Sequence, residues 1–161
     1  MSELDNIRVA VRVRPISSKE VSECNGRRCL QVNEDKTSIV LDSKPYPRTF
    51  NYDFVGDEDI TQAELFETIG KPIVASCLSG YNATIFAYGQ TGAGKSFSIV
   101  GPANIEVTQQ SPDRGLLPRS LEFMFDCIKK EIKRSAGIEF LVKASFLEIY
   151  NEQINDLLSP D

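Results

Sequence analysis

Gly89-Gln90-Thr91-Gly92-Ala93-Gly94-Lys95-Ser96 fits the pattern G-x-x-x-x-G-K-[ST], and few short strings constrain a fold as tightly. The pattern describes a phosphate-binding loop that leaves the carboxyl end of a buried strand and runs directly into a helix. The preceding run, Ala83 to Tyr88, is almost wholly apolar, which suits a strand covered on both faces of a parallel sheet. An α/β fold of the P-loop NTPase type is therefore expected. The chemistry accounts for the spelling. Gly89, Gly92 and Gly94 allow the main chain to turn its N–H groups inward around phosphate oxygens, where side chains would block the anion. Lys95 supplies a flexible positive charge for the β- and γ-phosphates of ATP or GTP. The Ser96 hydroxyl is placed to ligate Mg²⁺ at the first turn of a helix whose dipole favours anions. Lys95 and Ser96 are thus the candidate catalytic residues, and Ser96 is the candidate metal ligand. The competing view, a glycine-rich turn with one solvated lysine, leaves the strand in front of the motif unexplained.

Composition narrows the class. The 161 residues suit one domain or part of one, and 41% hydrophobic residues suffice for a sizeable core. A net charge of −5 offers no broad basic face, so nucleic acid is not an expected partner. No apolar run approaches the roughly 20 residues of a membrane span, and the first residues show neither a basic nor an apolar signal region. A cytoplasmic protein without a membrane partner is expected. Histidine is absent, which excludes the usual Cys/His zinc sites and every histidine-based acid–base mechanism. Cys24, Cys29, Cys77 and Cys127 read as buried or idle thiols.

Periodicity supplies a coarse map. Ile7 to Val13 alternates, with Arg8, Ala10, Arg12 and Arg14 on one face, and Pro15 is placed to end that strand. Short strands are expected at Cys29–Val32, Ser38–Leu41 and Arg48–Phe54. Thr61 and Glu64 have capping-box spacing ahead of a helix from about Gln62 to Ser79, with a kink at Pro72 and a stop at Gly80. The helix after the phosphate loop meets Gly101-Pro102 within two turns, and a long surface loop follows. Pro118 to Arg134 reads as a helix with cations at its end. Ile138 to Tyr150 reads as a long strand and Glu152 to Leu158 as a short helical turn.

Three stretches resemble one family, the kinesin motor domain. They are Val11-Arg12-Val13-Arg14-Pro15, the run from Gly80 through Ser96, and Ser145-Phe146-Leu147-Glu148-Ile149-Tyr150-Asn151-Glu152 with Asp156-Leu157-Leu158. They stand in kinesin order, and the similarity extends from Ile7 to Leu158. The resemblance implies a mixed central sheet flanked by helices, with residues 1–161 forming the N-terminal portion of a motor domain and the fold therefore incomplete. It implies ATP and Mg²⁺ as ligands and a microtubule-stimulated ATP hydrolase as the parent activity. The parent would be cytoskeletal, with microtubules as its partner and a coiled-coil dimer or higher oligomer as a possible state. By position, Arg12, Arg14, Pro15 and Tyr88 correspond to adenine-side contacts, beside Gly89, Gln90, Thr91, Gly92, Ala93, Gly94, Lys95 and Ser96 around the phosphates. Guanidinium planes and aromatic rings both stack on bases. For the arginines the alternative is a solvated strand face; for Tyr88 it is sheet core.

The family's Asn-x-x-Ser-Ser-Arg-Ser-His and Asp-Leu-Ala-Gly segments, which position water and sense the γ-phosphate, have no counterpart here. Asp53-Phe54-Val55-Gly56 precedes the loop and aligns with the family's second strand, so it is a decoy. Phe123-Met124-Phe125-Asp126 falls on a helical pattern. In the kinesin fold later strands insert between those present, so Ile7–Val13, Ala83–Tyr88 and Ile138–Tyr150 would not pair directly. The isolated chain is therefore expected to be inactive, with open strand edges and a tendency to aggregate. Two other classes compete: an unrelated P-loop enzyme, disfavoured because a GTPase's Asn-Lys-x-Asp string is missing, and a non-catalytic nucleotide-binding fragment.

Overall fold

The computed structural model describes residues 7–23, 27–102, 111–135 and 137–159. The chain divides into two units, Met1–Met124 and Phe125–Asp161. In the first, strand β1 (Ala10–Arg12) is shorter than the alternating run around it. It pairs in parallel with β5 (Phe54–Gly56), placing Val11 opposite Val55. Val55 is fully buried. The intervening chain carries the short helix α1 (Ser18–Glu23) and an antiparallel sheet of β2 (Leu30–Val32), β3 (Ser38–Leu41) and β4 (Arg48–Asn51), ordered β2-β3-β4. The single strand expected over Arg48–Phe54 is divided between two sheets: β4 pairs with β3, and β5 pairs with β1. The decoy string at Asp53–Gly56 lies on β5, as its alignment with a second strand implied.

The capping box is present. Thr61 Oγ1 accepts from the Glu64 amide at 3.1 Å, and Glu64 returns a carboxylate oxygen to the Thr61 amide at 2.9 Å. The Thr61 amide, joined by the Thr61 hydroxyl donating at 2.8 Å, holds the Glu64 carboxyl below its ordinary pKa. The helix that follows is not uniform. It runs as α2 (Gln62–Leu65), then a π-helical turn over Phe66–Gly70, then α3 (Lys71–Leu78). The Lys71 amide donates to the Phe66 carbonyl, an i→i+5 register immediately before Pro72. A local change of helix type therefore stands where a proline kink was expected. Gly80, with φ of 97°, ends the helix.

Ala83–Tyr88 departs from expectation. No ladder includes it among the described residues, and it shares none with β1. Apolarity of this kind encodes burial between neighbouring strands but does not itself supply them. Ile85 nevertheless packs on the core, which comprises Ile60, Leu65, Phe66 and Leu116 with Phe54, Ile69, Ile99 and Phe123 around them. Phe66 and Phe123 meet edge to face at 6.0 Å. Helix α4 (Lys95–Ile99) is a turn and a half. The expected surface loop after it is pinched at its base, where the Gly115 amide donates to the Val100 carbonyl at 2.9 Å. Residues 103–110 of that loop lie outside the described residues. Helix α5 (Leu116–Arg134) begins two residues before the expected Pro118. Pro118 sits in its first turn, where no intrahelical N–H bond is lost.

The second unit holds the later turns of α5 and a hairpin of β6 (Leu147–Tyr150) and β7 (Gln153–Asp156). Two expectations are corrected by it. Only the last four residues of Ile138–Tyr150 form a strand, and within Glu152–Leu158 the segment Gln153–Asp156 is strand rather than helix. Asn151 and Glu152 both adopt positive φ, 51° and 63°, the conformation of a two-residue hairpin turn that follows strand twist. Lys133 and Arg134 do lie in the last turn of α5. Cys29 and Cys77 are exposed, contrary to burial, while Cys127 is half-buried; all three are free thiols. Cys24 lies outside the described residues. Among the described residues no cluster of metal-ligating side chains exists, and no helix is long and apolar enough to cross a membrane.

Candidate functional site

The phosphate loop joins Tyr88 to α4. Gly92 and Gly94 have φ of 80° and 92°, and nothing lies within 4 Å of where a Cβ would project at either. The main chain is thus left-handed at two points and open on the side that a ligand would approach. The Ala93 amide donates to the Gln90 carbonyl at 3.1 Å and closes the turn. Lys95 folds back over this turn: its ammonium donates to the Gly89 carbonyl at 2.8 Å and the Gln90 carbonyl at 2.9 Å. Ser96 and Thr91 are exposed, and no hydrogen bond among the described residues takes up the Ser96 hydroxyl. The first amides of α4 have no intrahelical acceptor. Amides without partners, a cation at the loop mouth and an open hydroxyl form a donor set suited to a polyphosphate with its magnesium ion.

Arg12 and Arg14 have different surroundings. Arg12 is half-buried beneath α4. One guanidinium nitrogen donates to Gln62 Oε1 at 2.9 Å and to the Ser98 hydroxyl at 3.1 Å, the other to the Ile60 carbonyl at 3.2 Å, and the plane lies 5.0 Å from the Phe97 ring centre. Burial pulls its pKa below the ordinary value, yet a guanidinium stays charged at neutral pH. Arg14 is exposed and pairs with Glu20, which raises its pKa chiefly through their hydrogen bond. It also donates to the Pro15 carbonyl at 3.0 Å. Arg14 and Pro15 are thus linked to each other and to α1, while Arg12 faces the underside of the loop helix.

A cavity of about 200 Å³ brings Arg8, Arg12, Tyr88, Gly94, Lys95 and Ser98 together. Tyr88 is 92% exposed at its edge, so its ring is open to stacking and is not core. A larger cavity, about 700 Å³, is lined by Val13, Arg28, Asp42, Asp57 and Glu58 among others, and by no residue of the phosphate loop. Cavity size does not locate the chemistry here, because a cradle made of main chain is a surface rather than a chamber. Sequence reasoning missed Gln62 and Ser98 as partners of Arg12, and Glu20 as the partner of Arg14. The first two contacts join residues 50 and 86 positions apart, beyond any local pattern. Glu20, six residues from Arg14, carried a faint signal as an acid following a basic strand end.

The kinesin motor domain family model matches residues 12–161. The human kinesin-like protein KIF15 is 48% identical over 159 residues, covering 98% of this chain and 11% of that protein. KIF15 of Strongylocentrotus purpuratus is 46% identical, covering 99% and 11%. The rice kinesin-like protein KIN-12E is 44% identical, covering 96% and 8%. A solved structure of a fast kinesin, described for its ATPase mechanism and interactions with microtubules, superposes with a TM-score of 0.81 at 39% identity, covering 96% of this chain and 41% of that one. This chain therefore spans about a tenth of the length of the curated relatives it matches.

Proposed function

This chain belongs to the kinesin motor-domain family, and from that premise we propose that residues 1–161 are the nucleotide-binding N-terminal portion of a motor that hydrolyses ATP to move along microtubules. The observation that carries the reading is Lys95, held over the mouth of an open left-handed glycine turn, within a family match that includes the whole loop. A cytoplasmic, microtubule-associated location goes with this activity.

The chain's own residues would act as follows. Lys95 exchanges its two carbonyl partners for phosphate oxygens, moving a cation from neutral dipoles to a formal negative charge. The free amides of the loop and of the start of α4 hold the oxygens of the β- and γ-phosphates and orient the terminal phosphoryl group. Ser96 offers its hydroxyl to magnesium, which when bound neutralises charge developing on the transferring phosphoryl. Tyr88 presents an open aromatic face to the base, and the Arg14–Pro15 corner supplies a second, cationic face. Arg12, three of whose donors are already committed, supports the loop from below.

The test is Lys95→Ala in the full-length protein, with ADP–magnesium affinity measured by calorimetry and ATP turnover measured with and without microtubules. Loss of one charged contact weakens nucleotide binding by about 10- to 100-fold and abolishes the stimulated turnover. Unaltered affinity and turnover in Lys95→Ala would remove this loop from the mechanism.

A further inference from the structure

We propose that Gln62 is a positioning residue for the phosphate loop: with Arg12 it fastens α4 to β1 and thereby sets where Lys95 and Ser96 stand. The inference rests on the nucleotide-binding reading above. Gln62 is buried, 3% exposed, and its side-chain amide is fully used. Its oxygen accepts from Arg12 at 2.9 Å, while its nitrogen donates to the Phe97 carbonyl at 2.7 Å and the Asp113 carbonyl at 3.0 Å. One side chain thus joins the strand β1, the helix behind the loop and the chain returning toward α5.

The need for such a fastening follows from the length of α4. Five residues cannot hold a helix by themselves, and Gly101-Pro102 prevents its extension. Its last carbonyls have no intrahelical donors. The Gly101 amide turns back to Ser96 at 3.2 Å, so the Phe97 carbonyl depends on Gln62. Arg12 holds the next residue through the Ser98 hydroxyl. Phe97 follows Ser96 directly, so a shift of α4 that breaks these bonds displaces the hydroxyl and the ammonium together. A misplacement on the order of 1 Å is enough to cost a site much of its effect.

The experiment measures ADP–magnesium affinity by calorimetry on the full-length protein, at one fixed interval below each variant's melting temperature. Gln62→Met keeps the volume and removes every polar contact; Ser98→Ala removes the Arg12 anchor alone. Ile39→Val, in the small antiparallel sheet, is the control for general destabilisation. We expect Gln62→Met to weaken binding about tenfold and Ser98→Ala about threefold, with Ile39→Val unchanged. Should Gln62→Met fail to fold, Ser98→Ala decides alone. Affinity in the variants equal to that of Ile39→Val overturns the inference, since a purely structural role would move melting and not affinity. Lys95→Ala in the same series separates the two readings: weakened there but unchanged in Ser98→Ala and Gln62→Met, the loop binds nucleotide and the fastening is irrelevant to it; unchanged in Lys95→Ala, the nucleotide reading itself fails.

Discussion

Glu20 accepts hydrogen bonds from both terminal nitrogens of Arg14 and from the Ser17 amide, and these bonds, the Arg14 side chain first, lower its pKa from 4.5 to about 2. The folded value lies below the unfolded one, so the contribution of this pair to stability is complete above about pH 4.5 and is lost as pH falls from there through about 2. Carboxyl-carbon NMR across that range should show Glu20 titrating near pH 2, and a midpoint near 4.5 would contradict the pairing. The loop residues were legible at this scale because each has a local chemical reason: glycine for left-handed turns, lysine for charge, serine for a hydroxyl. Arg12 was legible only as an arginine on a strand. Its partners come from the 60s and 90s of the chain, and no spacing rule predicts that a glutamine at the start of a helix will hold the carbonyl of another helix.

At the scale of elements, the base of the loop after α4 is a close crossing of two backbones. A Cβ added at Gly115 would lie 2.5 Å from the carbonyl carbon and oxygen of Ile99 and 2.7 Å from the Val100 nitrogen. Backbone atoms yield less readily than the end of a side chain, so Gly115→Ala should destabilise the full-length protein by about 1–3 kcal/mol in denaturant unfolding. A neutral result would mean that the two segments separate freely. Element boundaries followed the residues where the signal was local, as in the Thr61 capping box and the apolar stripe of α5. They failed where a strand depends on its neighbour. Ala83–Tyr88 and Ile138–Phe146 have strand composition but no ladder among the described residues. Glu152–Leu158 reads as a helical turn in sequence, yet the two positive-φ residues Asn151 and Glu152 fold the chain back so that Gln153–Asp156 pairs with Leu147–Tyr150.

For the molecule as a whole, apolar exposure is the dominant property. Phe86 and Leu141 are each 82% exposed, Ile154 72% and Ile149 70%, on segments with strand edges free to pair. The 161-residue polypeptide alone should therefore sediment as concentration-dependent oligomers and bind a hydrophobic dye, whereas a monomer at every concentration would show that these faces are tolerated in water. The family was readable from three ordered motifs because their chemistry is local, and through it so was the lack of direct pairing among Ile7–Val13, Ala83–Tyr88 and Ile138–Tyr150, which share no ladder among the described residues; the pairing of β1 with β5 was not, because sheet neighbours are chosen across the chain rather than along it. The contacts at Gln62 and Arg12 also give the nucleotide loop a load path. Downstream of the loop, α4 is clamped through these two side chains to a paired strand. Strain from a captured triphosphate would consequently be conducted toward β1, so that the short helix serves as a strut.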